Sequence, residues 1–421
     1  MRLVEFFSSV FYENIGLYFF SFFGVMILMI PIFRKYVHGI LDPFFFILFM
    51  TVFAYVIPVF LYLTGNCSMR NFSYFIISES FFWLGFAWFY GSKTNFSKYR
   101  IVNESILLKY IFYISFLIYV TSKIYTYLFI GIPLLMEYRL DLYSEANGLG
   151  ILGRLSDFSA SFLLIYSFHL KDKGDKKHFF IFILIFINSV LAGSKSAILI
   201  FFQSYFIYNY FYKGIVPKLD KKYWGVLLLF PIIILLLSAS GVKNLEAAGL
   251  GFFVRMVANG DVFWYAYPND VIDHIRISNP FTNFFVGILG PFRLIDYQSV
   301  EPSIGALINW EIEPSLYGTN AGSNARPAIA GWIYFKWYGV FFSFLLGCFV
   351  SFLIYHIRKY FPKGLLGVVL YGFLYQNMIT FIIDPSLGFS YLSNFLINVI
   401  IYTVFIFFIS KMRIVLVKDT L

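Results

Sequence analysis

Apolar runs separated by short polar gaps fill this chain from Ile15 to Ser410. At about 1.5 Å rise per residue, a helix needs about 20 residues to cross a hydrocarbon layer about 30 Å thick. Runs at 15–33, 43–64, 72–91, 108–130, 155–170, 179–193, 196–212, 224–240, 328–356, 365–384 and 387–410 predict about eleven helices. Those at 155–170 and on either side of Gly193 are short for a full crossing. No internal repeat or soluble domain boundary interrupts the series, so the expected fold is one all-α, polytopic membrane unit. Two gaps are long, 131–154 and 241–327. The second carries an apolar stretch, 281–289, between Pro280 and Pro291. That stretch is too short to span, and the long loop is expected to fold as short interfacial helices capping the bundle.

Basic residues give the series an orientation. Of 32 Lys and Arg, twenty fall in six stretches: Arg34/Lys35; Lys93/Lys98/Arg100/Lys109; Lys171/Lys173/Lys176/Lys177; Lys213/Lys218/Lys221/Lys222; Arg358/Lys359/Lys363; and Lys411/Arg413/Lys418. These stretches occupy alternate gaps, as expected of cytoplasmic loops, which retain Lys and Arg. The N-terminus is then outside, the C-terminus inside, and 131–154 and 241–327 are a smaller and a large exterior loop. Glu5 and Glu13 stand where a cleavable signal would be basic, so the first helix is expected to be retained.

Composition narrows the class. At 60% hydrophobic and 13% charged, with mean hydropathy +0.77, an ordinary soluble domain is excluded. The net charge of +10 follows from topology, and no interleaved basic and aromatic stripe points to nucleic acid. Phe 57 and Tyr 33 fit codon bias as well as sugar stacking and carry no functional weight. Cys67 and Cys348 fall at different expected depths, so no disulfide framework is predicted.

Charged residues inside helices are few: Glu79, Lys123, Asp157, Lys336 and Asp384. Counted from the expected exterior ends, Glu79, Lys123 and Lys336 lie roughly 10 to 12 Å down, and Glu79 is expected to pair with Lys123. Exterior arginines are the candidate anion ligands, because the guanidinium fork binds phosphate oxygens bidentately. They are Arg255, Arg276, Arg293 and Arg326 in the large loop and Arg139 and Arg154 at the smaller one. Candidate proton acceptors are the group Asp270, Asp273 and His274, with Asp261, Asp296, Glu301, Glu311 and Glu313 more isolated. The doublet Glu311/Glu313 is a weak metal signature, and no phosphate loop, zinc-protease motif or nucleophile elbow occurs, so neither metal nor cofactor is expected.

Two segments carry a resemblance. Asn188-Ser-Val-Leu-Ala-Gly-Ser-Lys-Ser-Ala resembles the "GSR" helix start of Wzy-type polymerases, which join oligosaccharide repeat units of O-antigen and capsule, with Lys195 in place of the usual Arg. The run from Gly318 to Gly339, Gly-Thr-Asn-Ala-Gly-Ser-Asn-Ala-Arg-Pro-Ala-Ile-Ala-Gly-Trp-Ile-Tyr-Phe-Lys-Trp-Tyr-Gly, resembles the segment that ends their large exterior loop. An Arg-x10-Gly pattern described for some members fits Arg139/Gly150 and Arg276/Gly287. The resemblance implies a glycosyltransferase of the bacterial cytoplasmic (inner) membrane, with a chain-length regulator and a flippase as partners. The growing glycan leaves its undecaprenyl diphosphate, and an incoming lipid-linked repeat unit supplies the attacking hydroxyl. Arg326 and Arg293, with Asp270 and His274, are then the expected catalytic residues, and Arg255, Arg276, Arg139, Arg154, Lys195 and Asn324 the expected substrate ligands. Arg326, just before a membrane helix, is expected at the lipid diphosphate, where Lys would not replace its fork. An O-antigen ligase, a repeat-unit flippase or other transporter, and a non-catalytic scaffold are the alternatives.

Reporter fusions test the topology. Fusions after Lys98, Lys176, Lys221 and Lys359 are expected to report cytoplasm, and those at Glu145 and Asp296 the exterior. A cytoplasmic signal at Asp296 overturns the orientation.

Overall fold

Helices form where apolar runs begin behind a capping side chain. Asp42 accepts from Phe44 N at 3.0 Å ahead of Pro43, Ser68 from Asn71 N at 3.4 Å and Asn279 from Thr282 N at 3.1 Å. Each satisfies an otherwise orphaned N–H, and proline suits the first helical position. The computed structural model describes residues 1–90, 95–135, 150–192, 199–217, 251, 253–296, 299–319, 322–410 and 416–418. The expected helix at 224–240, together with Arg139 and Lys195, lies outside them.

The protein is an all-α multi-pass membrane protein. In chain order its helices are α1 (Ile15–Tyr36), α2 (Pro43–Leu63), α3 (Met69–Trp88), α4 (Glu104–Tyr125), α5 (Gly150–Asp172), α6 (Lys177–Leu191), α7 (Leu199–Ile207), α8 (Asp261–Ala266), α9 (Pro280–Leu289), α10 (Ile304–Ile312), α11 (Pro327–Phe335), α12 (Gly339–Ser351), α13 (Leu365–Met378) and α14 (Pro385–Ser410). Among the described residues six stretches are long and apolar enough to cross a membrane: Ile15–Tyr36, Pro43–Leu63, Glu104–Ile130, Pro327–Tyr360, Leu365–Ile382 and Pro385–Phe408.

The described parts of all six basic stretches meet at one end of the bundle. The Tyr90 hydroxyl donates to Lys35 O, Ser97 N to Phe361 O at 2.9 Å and Lys363 N to Tyr99 O at 2.7 Å. The Arg358 guanidinium lies 4.9 Å over the Phe211 ring, and Lys213 pairs with Asp172. Two three-residue strands, β1 (Tyr99–Ile101) and β2 (Leu416–Lys418), pair antiparallel there, with Arg100 opposite Val417.

Two expectations fail. The run expected as one helix at 328–356 folds back on itself, because Lys336 takes a left-handed φ of 53°. A Cβ on Gly339 would lie 2.3 Å from Gly331 O, a proximity that a straight helix, at about 1.5 Å per residue, forbids for residues so far apart. Lys336 therefore lies exposed at a turn, and the N-terminus of α11 is the deep end. The segment expected to cap the bundle also enters it: a Cβ on Gly260 would meet Ala54 O at 2.8 Å and Ile57 Cγ1 at 2.6 Å, and Val262, Phe263 and Trp264 are fully buried. The short helix expected near 281–289 is present as α9, pressed against α14.

Helices α3 and α12 cross at backbone contact through two glycines. A Cβ on Gly85 would lie 2.1 Å from Phe344 O, and one on Gly347 2.1 Å from Phe82 O. Small residues allow such crossings, where close packing replaces the hydrophobic effect. Gly85→Ala and Gly347→Ala are each expected to destabilise by about 1–3 kcal/mol, read as a lowered unfolding midpoint in detergent. An unchanged midpoint in both rejects the crossing.

Candidate functional site

The break at Lys336 puts Arg326 in the bundle interior. Its side chain is fully buried. Nη1 donates to Thr51 Oγ1 at 3.1 Å and Ile382 O at 3.4 Å, and Nη2 to Asn259 O at 3.3 Å. Thr51 is a mid-helix residue of α2, Ile382 ends the turn before α14 and Asn259 precedes α8, so one guanidinium joins three distant parts of the chain. Glu79, Asp261 and Asp384 lie around it. Glu79 accepts from the Tyr55 hydroxyl, and Asp384 accepts from Ala325 N and Leu387 N, both at 3.0 Å.

This corrects the expectation for Arg326. A cation already flanked by three carboxyl groups and bonded to three acceptors is a poor holder of a diphosphate. It also corrects the expected Glu79–Lys123 pair, since Lys123 instead neighbours Asp157 and lies 5.6 Å over the Tyr119 ring. Equal depth is necessary for pairing, but α3 packs against α12 while α4 packs against α5.

A second polar group gathers at the turn between α11 and α12. Arg70 reaches Asp273 Oδ2 at 2.5 Å and Asp270 Oδ1 at 3.1 Å. Asn71 Nδ2 donates to Asp270 Oδ1 at 2.9 Å, and Trp332 Nε1 to Asp273 Oδ1 at 2.8 Å, with Lys336 Nζ 3.5 Å from the same oxygen. Partial burial favours a protonated Asp273, but Trp332, Arg70 and Lys336 outweigh it and hold the carboxyl below its usual range. Asn269 and Asp270 both take left-handed φ, 56° and 52°. Asp270 thus fastens a strained loop to the first turn of α3. His274 does not join this group, for its Nδ1 lies 3.2 Å from Glu311 Oε1.

The remaining predicted residues separate clearly. Arg154 donates to Ser393 Oγ at 2.8 Å and to Asn394 Oδ1, tying α5 to α14. Arg255, Arg276 and Arg293 are exposed, and their side chains meet no carboxylate among the described residues. Arg293 adopts a φ of 54°. Asn324 is exposed. Gly287 packs against α14, where a Cβ would lie 2.5 Å from Ser390 N, so helix packing accounts for the glycine of that Arg-x10-Gly match. Glu301 is occupied by Ser278 N and Oγ.

Asp261 differs from the other loop carboxylates. It is partly exposed, forms no ion pair among the described residues, and begins α8 with its Oδ1 accepting Val262 N at 2.7 Å. Burial pushes its carboxyl up to about 6, against the opposing pull of Ser323, Val262 N–H and Arg326. No protein-family model, curated protein or solved structure matches this chain.

Arg326→Lys and Arg326→Ala are both expected to lower the amount of folded protein, by about 3–5 kcal/mol for Ala, because buried carboxyl groups lose their counter-charge. Immunoblots of membranes and detergent unfolding read this. Unchanged abundance and an unchanged unfolding midpoint in both variants overturn this structural role.

Proposed function

We propose that this chain is a polysaccharide polymerase that transfers a growing glycan from polyprenyl diphosphate to the hydroxyl of an incoming lipid-linked repeat unit. Such a transfer needs a proton acceptor near neutral pH, cations for the departing diphosphate and a membrane-embedded frame. One observation carries the reading: Asp261, partly accessible and raised to about 6, follows the exposed Arg255, which has no ion pair among the described residues, on the same segment. At about 1.5–2 Å per residue the two backbones are roughly 9–12 Å apart. In this reading Asp261 takes the hydroxyl proton, and Arg255, with Arg276 and Arg293, attracts the diphosphate.

A transporter of the repeat unit is the second reading, favoured by the buried charged centre around Arg326, since transporters hold substrate groups deep between helices. Asp261→Asn separates the two. A polymerase loses elongation by about a hundredfold or more at normal abundance and accumulates lipid-linked single units on the outer face. A transporter leaves that face without them. In reconstituted vesicles, elongation is expected to rise with pH through about 6 as Asp261 deprotonates, since a base acts only in its ionised form. A full-length ladder from Asp261→Asn removes Asp261 from the chemistry.

A further inference from the structure

At the basic end of the bundle lies a cavity of about 180 Å³, lined by His38, Asn95, Tyr210, Arg358, Tyr371 and Tyr375 among others. A water molecule needs only about 10–15 Å³ of such space, so a small oxyanion with a few waters fits.

Arg358 dominates its chemistry. The guanidinium is held between rings, with its carbon 4.3 Å over Phe96, 4.9 Å over Phe211 and 5.8 Å over Tyr371. These contacts fix the plane but use none of the five N–H donors. No hydrogen bond or ion pair takes them up among the described residues, and Nε is buried without an acceptor. A buried donor left unpaired costs about 1–3 kcal/mol. Asp42, on the lining residues His38 and Tyr375, is spoken for: Oδ1 accepts from Phe44 N and Tyr375, Oδ2 from His38 N, with His38 Nδ1 at 3.3 Å. That contact orients the His38 ring against Tyr210, 4.7 Å away, while Nε2 makes no hydrogen bond among the described residues. Tyr371 and Tyr375 spend their hydroxyls on Ile354 O and Asp42, whereas the Tyr210 hydroxyl spends its proton on no described residue.

A clamped, unpaired guanidinium beside a free hydroxyl and an amide is a donor set without acceptors. We infer that this cavity binds a phosphate-type oxyanion, held bidentately by Arg358 with Tyr210 and Asn95 as further donors. It lies apart from Asp261 and Arg255, so it stands or falls separately from the proposed polymerase activity.

Inorganic phosphate and a phospholipid headgroup present the same oxygens, and two probes distinguish them. Purified full-length protein in neutral detergent is titrated with inorganic phosphate against chloride of equal ionic strength, following the unfolding midpoint. It is also reconstituted in phosphatidylcholine vesicles with and without phosphatidylglycerol. Phosphate is expected to raise the midpoint of the wild type and to bind Arg358→Lys at least roughly tenfold more weakly, the loss of a charge-assisted fork. Tyr210→Phe is expected to weaken binding several-fold while keeping the ring, and decides the matter if Arg358→Lys does not fold. A midpoint raised by phosphatidylglycerol but not by free phosphate, and lost in these variants, supports the proposal with a headgroup as occupant. No response of the wild type to either probe, or equal responses in wild type and variants, overturns it.

Discussion

A single guanidinium holds the interior of this protein together. Arg326 has no alternative but to be charged, and at full burial its donors must find acceptors or the fold loses several kcal/mol. The acceptors come from α2, from the turn before α14 and from the segment before α8, while Glu79 and Asp384 bring α3 and the start of α14 to the same centre. Helices from both halves of the chain are therefore registered against one another by polar contacts. Apolar side chains alone give little such registration in a membrane, where lipid is as apolar as leucine.

That centre exists because the chain reverses at Lys336. A continuous helix from Pro327 would leave Arg326 at one end of the bundle, whereas the reversal carries it inward and lifts Lys336, Trp332 and Asp273 into a separate polar group. Asn259 and Asp261 meet Arg326 in the interior because Gly260 packs closely on Ala54 and Ile57 of α2. The two groups thus divide the work, one deep and gathered around Arg326, the other shallow and fastened to the first turn of α3 by Asp270 and Asp273.

Much of the fold was legible in the residue pattern. The runs expected at 15–33, 43–64 and 387–410 correspond to α1, α2 and α14, since long apolar runs leave few alternatives, and the spaced basic residues do gather at one end. The reversal was hidden because 328–356 reads as unbroken and apolar; the one clue was Lys336 among aromatics just ahead of Gly339. Depth counting failed twice for a related reason. It assumed a continuous helix for Lys336, and for Glu79 and Lys123 it supplied height without telling which helices are neighbours. Of the site, the carboxylates and every arginine but Arg70 were named from sequence; Arg70, in the short gap ahead of the run expected at 72–91, carried no signal that set it apart. Their sorting into residues bonded within the bundle, such as Arg326 and Asp270, and residues in no ion pair among the described residues, such as Arg255 and Asp261, depends on contacts far apart in the chain, which no local pattern encodes.

The glycine crossing of α3 and α12 bears on how the protein is made. Gly85 reaches the membrane roughly 260 residues ahead of Gly347, a delay of some 13–50 s at about 5–20 residues per second of synthesis. During that interval α3 carries Arg70 and Glu79 without the partners that later neutralise and cover them, since Asp273, Arg326 and α12 are still unsynthesised. The nascent chain must therefore shelter a half-polar helix, against the insertion machinery or against α2 through Tyr55, until its C-terminal third arrives and closes the bundle.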